Sequence, residues 1–176
     1  MESFKDMHSS KGEEKKIILS LILALMPLMV FLLCQLLNND SLLLHFIYDK
    51  TANLPAVISS KSILLSKSMD VYCKTAPFLA VIVFVLFLNP RSLIRKVDPK
   101  QLVKGFISCC ILLSCAFYFF MFSSFDLYQS KRFLRLFSYN DYSLTIFYVS
   151  LYAIFYMFTL ALLFFVVRIA EMIKER

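Results

Sequence analysis

Glycine is almost missing from this chain, with two residues in 176, at positions 12 and 105. They can form neither a glycine-rich phosphate loop nor a GxxxG helix-packing motif. Histidine is as scarce: His8 and His45 stand in no cluster of cysteines or acids at ligand spacing, so no metal site is expected. No Ser/His/Asp arrangement is present, and neither catalysis nor a cofactor is expected. The five cysteines (34, 73, 109, 110 and 115) include no CxxC and fit no disulfide framework. Three share one apolar run, where cysteine behaves as a small hydrophobe. The weightiest absence is of charge. Ile17–Leu37, Thr75–Leu88, Gly105–Phe122 and Tyr142–Val167 contain no Asp, Glu, Lys, Arg or His. Ionisable residues at membrane depth mark proton relays, ion sites and substrate paths, so their lack argues against a pump, a coupled transporter or an ion-selective channel.

What is abundant is apolar side chain. Hydrophobic residues make up 60% of the chain, 19 of them Phe, and mean hydropathy is +0.73. A soluble domain is closer to half apolar. Because the apolar residues are gathered in runs, the expected fold is an all-α integral membrane protein with four transmembrane helices in an antiparallel bundle. The net charge is +7. In this setting the cations read as topology signals and contacts to anionic headgroups rather than as a nucleic-acid surface. No small-molecule substrate is implied.

In chain order, residues 1–16 carry four Lys and four acids and read as a short, loosely ordered tail. Ile17–Leu37 then runs 21 residues without charge, about 31 Å of helix, enough to cross a bilayer core. It is too long for a signal-peptide core and no small-x-small cleavage site follows, so it reads as an uncleaved span. Pro27 predicts a kink, and Asn38-Asn39-Asp40 ends the span. In the connection that follows, Ser41–Tyr48 is short and apolar, and Asn53-Leu54-Pro55 is a turn signal. Leu65, Met69, Tyr72, Ala76 and Leu79 then form a helical stripe. Ser66, Lys67, Asp70 and Lys74 lie on the other side, with Asp70 and Lys74 in the favourable i,i+4 order. The pattern predicts an amphipathic helix at the membrane interface running into a second span. Thr75–Leu88 alone is too short to span, so that span should begin near Met69, with Lys74 snorkelling to the headgroups, Pro77 bending or starting the helix, and Asn89-Pro90 stopping it. Asp98-Pro99-Lys100-Gln101 is a helix start with a cap, a first-turn proline and a capping-box glutamine. The third span is Leu102–Phe122. Apolar residues Phe125, Phe133, Leu134, Leu136 and Phe137 mix with Lys131, Arg132 and Arg135 in a second interfacial segment. Asn140-Asp141 caps the fourth span, Tyr142–Val167, and Arg168–Arg176 should continue it into water.

The expected organisation is one membrane domain, residues 1–176, with spans at about 17–37, 69–88, 102–122 and 142–167. The N-tail, the 89–104 connection and the C-tail hold 12 of the 19 Lys and Arg. The positive-inside rule therefore predicts cytoplasmic termini, an inner loop at 89–101 and outer loops at 38–68 and 123–141. Length and span count also match the quinone-linked disulfide oxidoreductases, but those need cysteine pairs in both outer loops, and only Cys34 and Cys73 lie near that face. Thr145, Tyr148, Tyr152, Tyr156 and Thr159 form a polar stripe on the fourth span. A Tyr hydroxyl in lipid needs a partner, so the stripe packs either on the protein's own helices or on a partner helix. Ala76/Ala80 and Cys110/Ser114 could permit close helix approach.

The run Asp70-Val-Tyr-Cys-Lys-Thr-Ala-Pro-Phe-Leu-Ala80 resembles the start of the second span in immunity proteins of A-type pore-forming colicins. Asn53-Leu54-Pro55 with Ser59-Ser60 resembles the preceding loop of that family, and Pro27 sits as in its first span. Phe125-Asp126-Leu127, Arg135-Leu136, Asn140-Asp141, Phe147-Tyr148 and Leu151-Tyr152 resemble its second outer loop and fourth span. The resemblance covers nearly the whole chain and departs most in Gly105–Phe122 and Tyr128–Phe133. It implies an inner-membrane protein that binds the pore-forming domain of a cognate colicin and prevents channel opening. On that expectation the candidate contacts are Asp70, Lys74, Asp126, Arg135, Tyr148 and Tyr152. A structural subunit of a larger membrane complex is the alternative.

Overall fold

The structure, a computed structural model, describes residues 2–38, 41–88, 99–130 and 132–174. In chain order these form α1 (Glu2–Leu37), α2 (Leu42–Lys50), β1 (Val57–Ile58), α3 (Ile63–Cys73), α4 (Ala76–Phe87), α5 (Pro99–Phe122), β2 (Phe125–Asp126), α6 (Arg132–Ser138) and α7 (Asp141–Lys174). Asn39, Asp40, the Asn89-Pro90 stop, the basic residues Arg91, Arg95 and Lys96, the Asp98 cap, Lys131 and residues 175–176 lie outside the described residues.

Four stretches are long and apolar enough to cross a membrane: Glu14–Leu37, Ile63–Phe87, Gln101–Phe122 and Asp141–Lys174. Their large apolar side chains are widely exposed, as at Leu23, Phe78, Val85 and Phe119. A soluble monomer rarely leaves so much contiguous apolar surface in water. With its charge-free runs, this chain is a membrane protein.

Local chemistry accounts for the helix boundaries. The N-tail is not loose: α1 begins at Glu2 and continues through Pro27. A long apolar segment that is already helical extends cheaply into a polar one, because propagation adds one hydrogen bond per residue fixed. Between α3 and α4 the helix breaks at Lys74-Thr75. Pro77 has no N–H for the Cys73 carbonyl and its ring crowds that carbonyl, so the ladder ends and restarts with Pro77 in the first turn of α4. Thr75 Oγ1 bonds the Tyr72 carbonyl at 2.7 Å across the break. Pro99 opens α5 as expected. Past Val167, α7 stays helical to Lys174, and Arg168 faces Glu171 at 3.4 Å on its last turns.

The chain divides into two compact units. The first comprises Met1–Ala24, Pro77–Ser114 and Phe155–Arg176. In it the Tyr156 and Ser20 hydroxyls meet at 2.8 Å, and Phe84 packs edge-on against Phe164 with centroids 5.1 Å apart. A Cβ on Gly105 would stand 3.3 Å from the Phe165 ring, and Cys109 Sγ reaches the Phe158 carbonyl at 3.9 Å. Close approach on α5 therefore runs along Gly105 and Cys109, not along Cys110 and Ser114, of which the first is half-buried and the second exposed. Ala80, by contrast, is fully buried.

The second unit comprises Leu25–Ala76 and Cys115–Ile154. Its core gathers Leu28, Leu44, Leu65, Met69, Leu127 and Leu144 around Tyr148 and Tyr152. Here β1 and β2 pair in parallel, with Val57 opposite Phe125 and Ile58 opposite Asp126. The side chains around this bridge all belong to this unit.

Candidate functional site

Two connections, the one before α3 and the one after α5, are joined through the β1–β2 bridge. The Leu127 N–H donates to the Ile58 carbonyl at 2.8 Å. A pairing of two residues a side is too short to hold itself. Side chains hold it from beneath.

Asp70 is the centre of that support. It sits on α3 with its carboxylate fully buried, and Oδ1 accepts the Val57 N–H at 3.2 Å. Its Oδ2 lies 2.9 Å from Lys74 Nζ, whose side chain is only 11% exposed. Lys74 also donates to the Pro55 carbonyl, and Lys67 donates to the Leu54 carbonyl. From the opposite side, the Tyr148 hydroxyl on α7 donates to the Val57 carbonyl at 2.6 Å. Both backbone polar groups of buried Val57 are thus satisfied, one by a carboxylate and one by a phenol, as buried backbone requires. One residue further on, the Ser59 N–H donates to Ser66 Oγ at 3.0 Å, and the Ser59 and Ser138 hydroxyls hydrogen-bond each other.

Beneath this latch lies an aromatic layer. Tyr72 and Tyr152 stack at 5.3 Å with planes 9° apart. Phe31 meets the Tyr72 ring edge-on at 6.0 Å. Cys73 Sγ contacts the Tyr148 carbonyl at 3.3 Å.

Above the latch, Asp126 organises the surface. Its Oδ1 accepts the Ser60 N–H at 3.1 Å and the Tyr128 N–H at 2.9 Å, and Oδ2 accepts the Ser60 hydroxyl. Arg135 Nε donates to the Tyr128 carbonyl at 3.0 Å and stands over the Tyr128 ring. Lys61 donates to the Tyr139 carbonyl and lies 4.6 Å over that ring. The Ser62 hydroxyl bonds the Asp141 carboxylate at the start of α7. An open hollow of about 630 Å³ adjoins β2, walled by Phe119, Phe125 and Leu134 and floored by Ser123, Gln129 and Ser130.

The six residues singled out from sequence therefore fall into two sets. Asp70, Lys74, Tyr148 and Tyr152 come together inside the protein, with Asp70, Tyr148 and Tyr152 fully buried. Asp126 is half-buried and Arg135 exposed at the surface above them. The polar side of α3 is not a solvated or headgroup face: Ser66, Lys67 and Asp70 are all buried under the 54–59 loop. Lys74 does not snorkel, because its ammonium is held by Asp70 and Pro55. The fourth-span stripe is likewise internal, with Thr145, Tyr148, Tyr152, Tyr156 and Thr159 all buried. Sequence reasoning missed Val57 and Ser138 and marked Ser59 only as part of the family-like loop, since Val57 acts through its backbone and the two serines through a contact between segments far apart in the chain. Lys67 was legible as a cation one turn before Asp70, and Pro55 as a carbonyl in a turn that a cation could cap. Among the described residues no group of three His, Cys, Asp or Glu could hold a metal ion.

Comparison with known proteins finds relatives of this chain. Residues 40–176 match a family model described as colicin immunity protein. The chain is 35% identical over 173 residues to the colicin-A immunity protein of Citrobacter freundii, covering 96% of this chain and 97% of that protein. It is 28% identical over 174 residues to the colicin-B immunity protein of Escherichia coli, covering 97% and 99% respectively. No solved structure matches the chain.

Proposed function

Because this chain belongs to the colicin immunity protein family, we propose that it protects a bacterial cell by binding the pore-forming domain of one cognate colicin in the inner membrane. Binding holds the channel shut, and the membrane potential survives. The observation that carries the reading is the identity to the colicin-A immunity protein, which runs through 96% of this chain rather than through one motif. In this reading the protein is a single membrane domain of four antiparallel spans with cytoplasmic termini. The concentration of 12 of 19 Lys and Arg in the tails and the 89–104 connection supports that orientation. The β1–β2 pairing supports it too, since it keeps the two connections assigned to the outer side on one face.

The uncharged spans suit an inhibitor that moves no ion and catalyses nothing. Two partners confined to one bilayer meet at high effective concentration, so modest helix–helix affinity suffices. Discrimination between toxins comes from polar groups that only the cognate partner satisfies. Asp126 and the hollow beside β2 form the contact surface, and Arg135 borders it. Asp70, Lys74, Tyr148 and Tyr152 act from beneath by holding that surface in shape.

The test is protection. Cells producing the protein are challenged with a panel of A-type pore-forming colicins while a voltage-sensitive dye follows the membrane potential. One colicin of the panel should fail to depolarise them, while a nuclease colicin entering by the same receptor still kills. Depolarisation by every pore-forming colicin of the panel would refute the proposal.

A further inference from the structure

The chemistry of α6 is not used by the latch. Arg132, Arg135, Leu136 and Tyr139 fall at i, i+3, i+4 and i+7, a stripe at helical spacing whose last member lies immediately past the end of α6. All four are exposed, Leu136 and Tyr139 at 68% and 70%, and together they line one shallow hollow. The opposite side is the packed one: Ser138 is buried and the Phe137 ring lies 5.7 Å from Phe147. The exposed stripe carries two guanidiniums and no acid. Among the described residues no carboxylate pairs with either guanidinium. Asp126 is taken by Ser60 and Tyr128, and Asp141 by Ser62.

Arg135 is also pre-oriented. Its Nε is fixed on the Tyr128 carbonyl, and bonding through Nε leaves the guanidinium edge made by the two terminal nitrogens as a fork suited to two oxygens of one phosphate. Lys61 adds a third cation at the Tyr139 end of the stripe. The depth of the stripe follows from its neighbours. The segment joins the end of one candidate span to the start of another, and exposed aromatics mark both: Tyr118, Phe119 and Phe122 before it, Tyr139 and Tyr142 after it. Aromatic side chains gather where bilayer meets water, which is the level of lipid phosphates. A helix with cations beside Leu and Tyr suits that boundary better than a soluble acidic partner.

We propose that the exposed face of α6 is a binding site for an anionic phospholipid, with Arg132 and Arg135 holding the headgroup phosphate and Leu136 and Tyr139 lying against the glycerol and acyl region. The site rests on the reading that these helices cross a membrane. It would fix the second connection at headgroup height, immediately beside Asp126 and the hollow next to β2.

The test uses the full-length protein purified in a zwitterionic detergent. Retention of phosphatidylglycerol against phosphatidylcholine is followed by native mass spectrometry. The wild type should prefer phosphatidylglycerol, and Arg132→Gln/Arg135→Gln should weaken that preference about 10- to 30-fold, given the strength of one basic contact at a membrane surface. Lys15→Gln/Lys50→Gln removes the same charge elsewhere and should retain it. An equal loss in that control overturns the site, since generic charge would then explain the preference. Inorganic phosphate that displaces phosphatidylglycerol at equal concentration overturns the lipid assignment. Unchanged preference in the arginine variant overturns the proposal, and if the same variant loses colicin protection the stripe is a toxin surface instead. Failure of protection in wild-type cells bears on the immunity reading alone, so the two can fail separately.

Discussion

The buried pair beneath Val57 makes a quantitative prediction that separates architecture from direct contact. Asp70 is fully buried and Lys74 nearly so, with 2.9 Å between their charged atoms. Removing one member of a buried pair strands the other charge, at a cost of about 3–5 kcal/mol. Asp70→Asn preserves shape and an acceptor for the Val57 N–H, and Lys74 keeps its bond to Pro55, so the low end, about 3 kcal/mol, applies. Lys74→Met leaves the carboxylate with the Val57 N–H as its hydrogen-bond donor and costs about 3–5 kcal/mol. The double variant strands neither Asp70 nor Lys74, and buried Lys67 loses Asp70 as a counter-charge in it just as in Asp70→Asn, so that loss cancels in the coupling. The other penalty of the double variant is the Pro55 carbonyl without its donor, about 1–2 kcal/mol. The two changes should therefore couple by about 3 kcal/mol or more, measured as a double-mutant cycle of unfolding in mixed micelles. Amide exchange at Val57 should run about a hundredfold faster in Asp70→Asn than in the wild type. Protection against the colicin should fall in each single variant and return in the double. Additivity of the single costs to within about 0.5 kcal/mol would refute the latch. Stability restored without protection restored would show that the Asp70 or Lys74 charge meets the toxin itself.

Three further outcomes follow from the same geometry. Tyr148→Phe keeps the ring and leaves the Val57 carbonyl without its donor, so it should cost about 1–3 kcal/mol in the same unfolding assay, less than stranding Lys74. Gly105→Ala brings a Cβ to 3.3 Å from the Phe165 ring, and the gain in helix propensity should offset that crowding to within about 1 kcal/mol. Gly105→Leu overfills the contact and should cost about 1–3 kcal/mol, read by the same unfolding assay. Asp126→Asn is half-buried and should change global stability by less than about 1 kcal/mol. Because it removes the Asp126 charge and replaces the Oδ2 acceptor of the Ser60 hydroxyl with an NH2 donor at the proposed contact surface, it should still lower the colicin dose that kills protected cells.

Apolar periodicity made most of the helices legible. Four charge-free runs of sufficient length admit little except membrane helices, and Pro99, Asp141 and the Gly-poor interiors set boundaries that local chemistry dictates. What was not legible was the partner of each polar side chain. The spacing of Ser66, Lys67, Asp70 and Lys74 describes one side of a helix, but spacing alone cannot tell a solvated side from one covered by a loop. Covering it required the 54–59 segment to fold back and offer its own backbone as the missing partner. Backbone carries no sequence signature, so a sequence rich in side-chain signals still hides a contact made by Val57 N–H and C=O. The close approach on α5 was misplaced by five positions for a related reason: Cys110/Ser114 and Gly105/Cys109 have the same spacing, and only packing shows which faces a neighbour.

The stretches expected from sequence to carry the family resemblance supply the latch parts: the carbonyls of Leu54 and Pro55, Ser59 and Ser60, Asp70 and Lys74, Asp126 and Leu127, Tyr148, and Tyr152 stacked on Tyr72. Each part is buried or bonded to another, so a change in one strands its partner, and the set is exchanged as a whole or not at all. Residues that must differ between toxins cannot sit in such a network. They belong where a substitution strands nothing, on exposed positions the latch merely supports. Exposed Tyr128 and Gln129 and the exposed face of α5 meet that condition, and they lie in the stretches expected from sequence to depart most from the family. Exchanging residues 128–133 for those of the colicin-A immunity protein should therefore move toxin choice with little loss of stability, whereas exchanging Asp70 or Tyr148 for other side chains should cost stability without moving toxin choice. A killing assay against two colicins, run beside the unfolding measurement, checks both halves. A 128–133 exchange that leaves toxin choice unmoved while an α5-face exchange shifts it would assign selection to the helix surface instead.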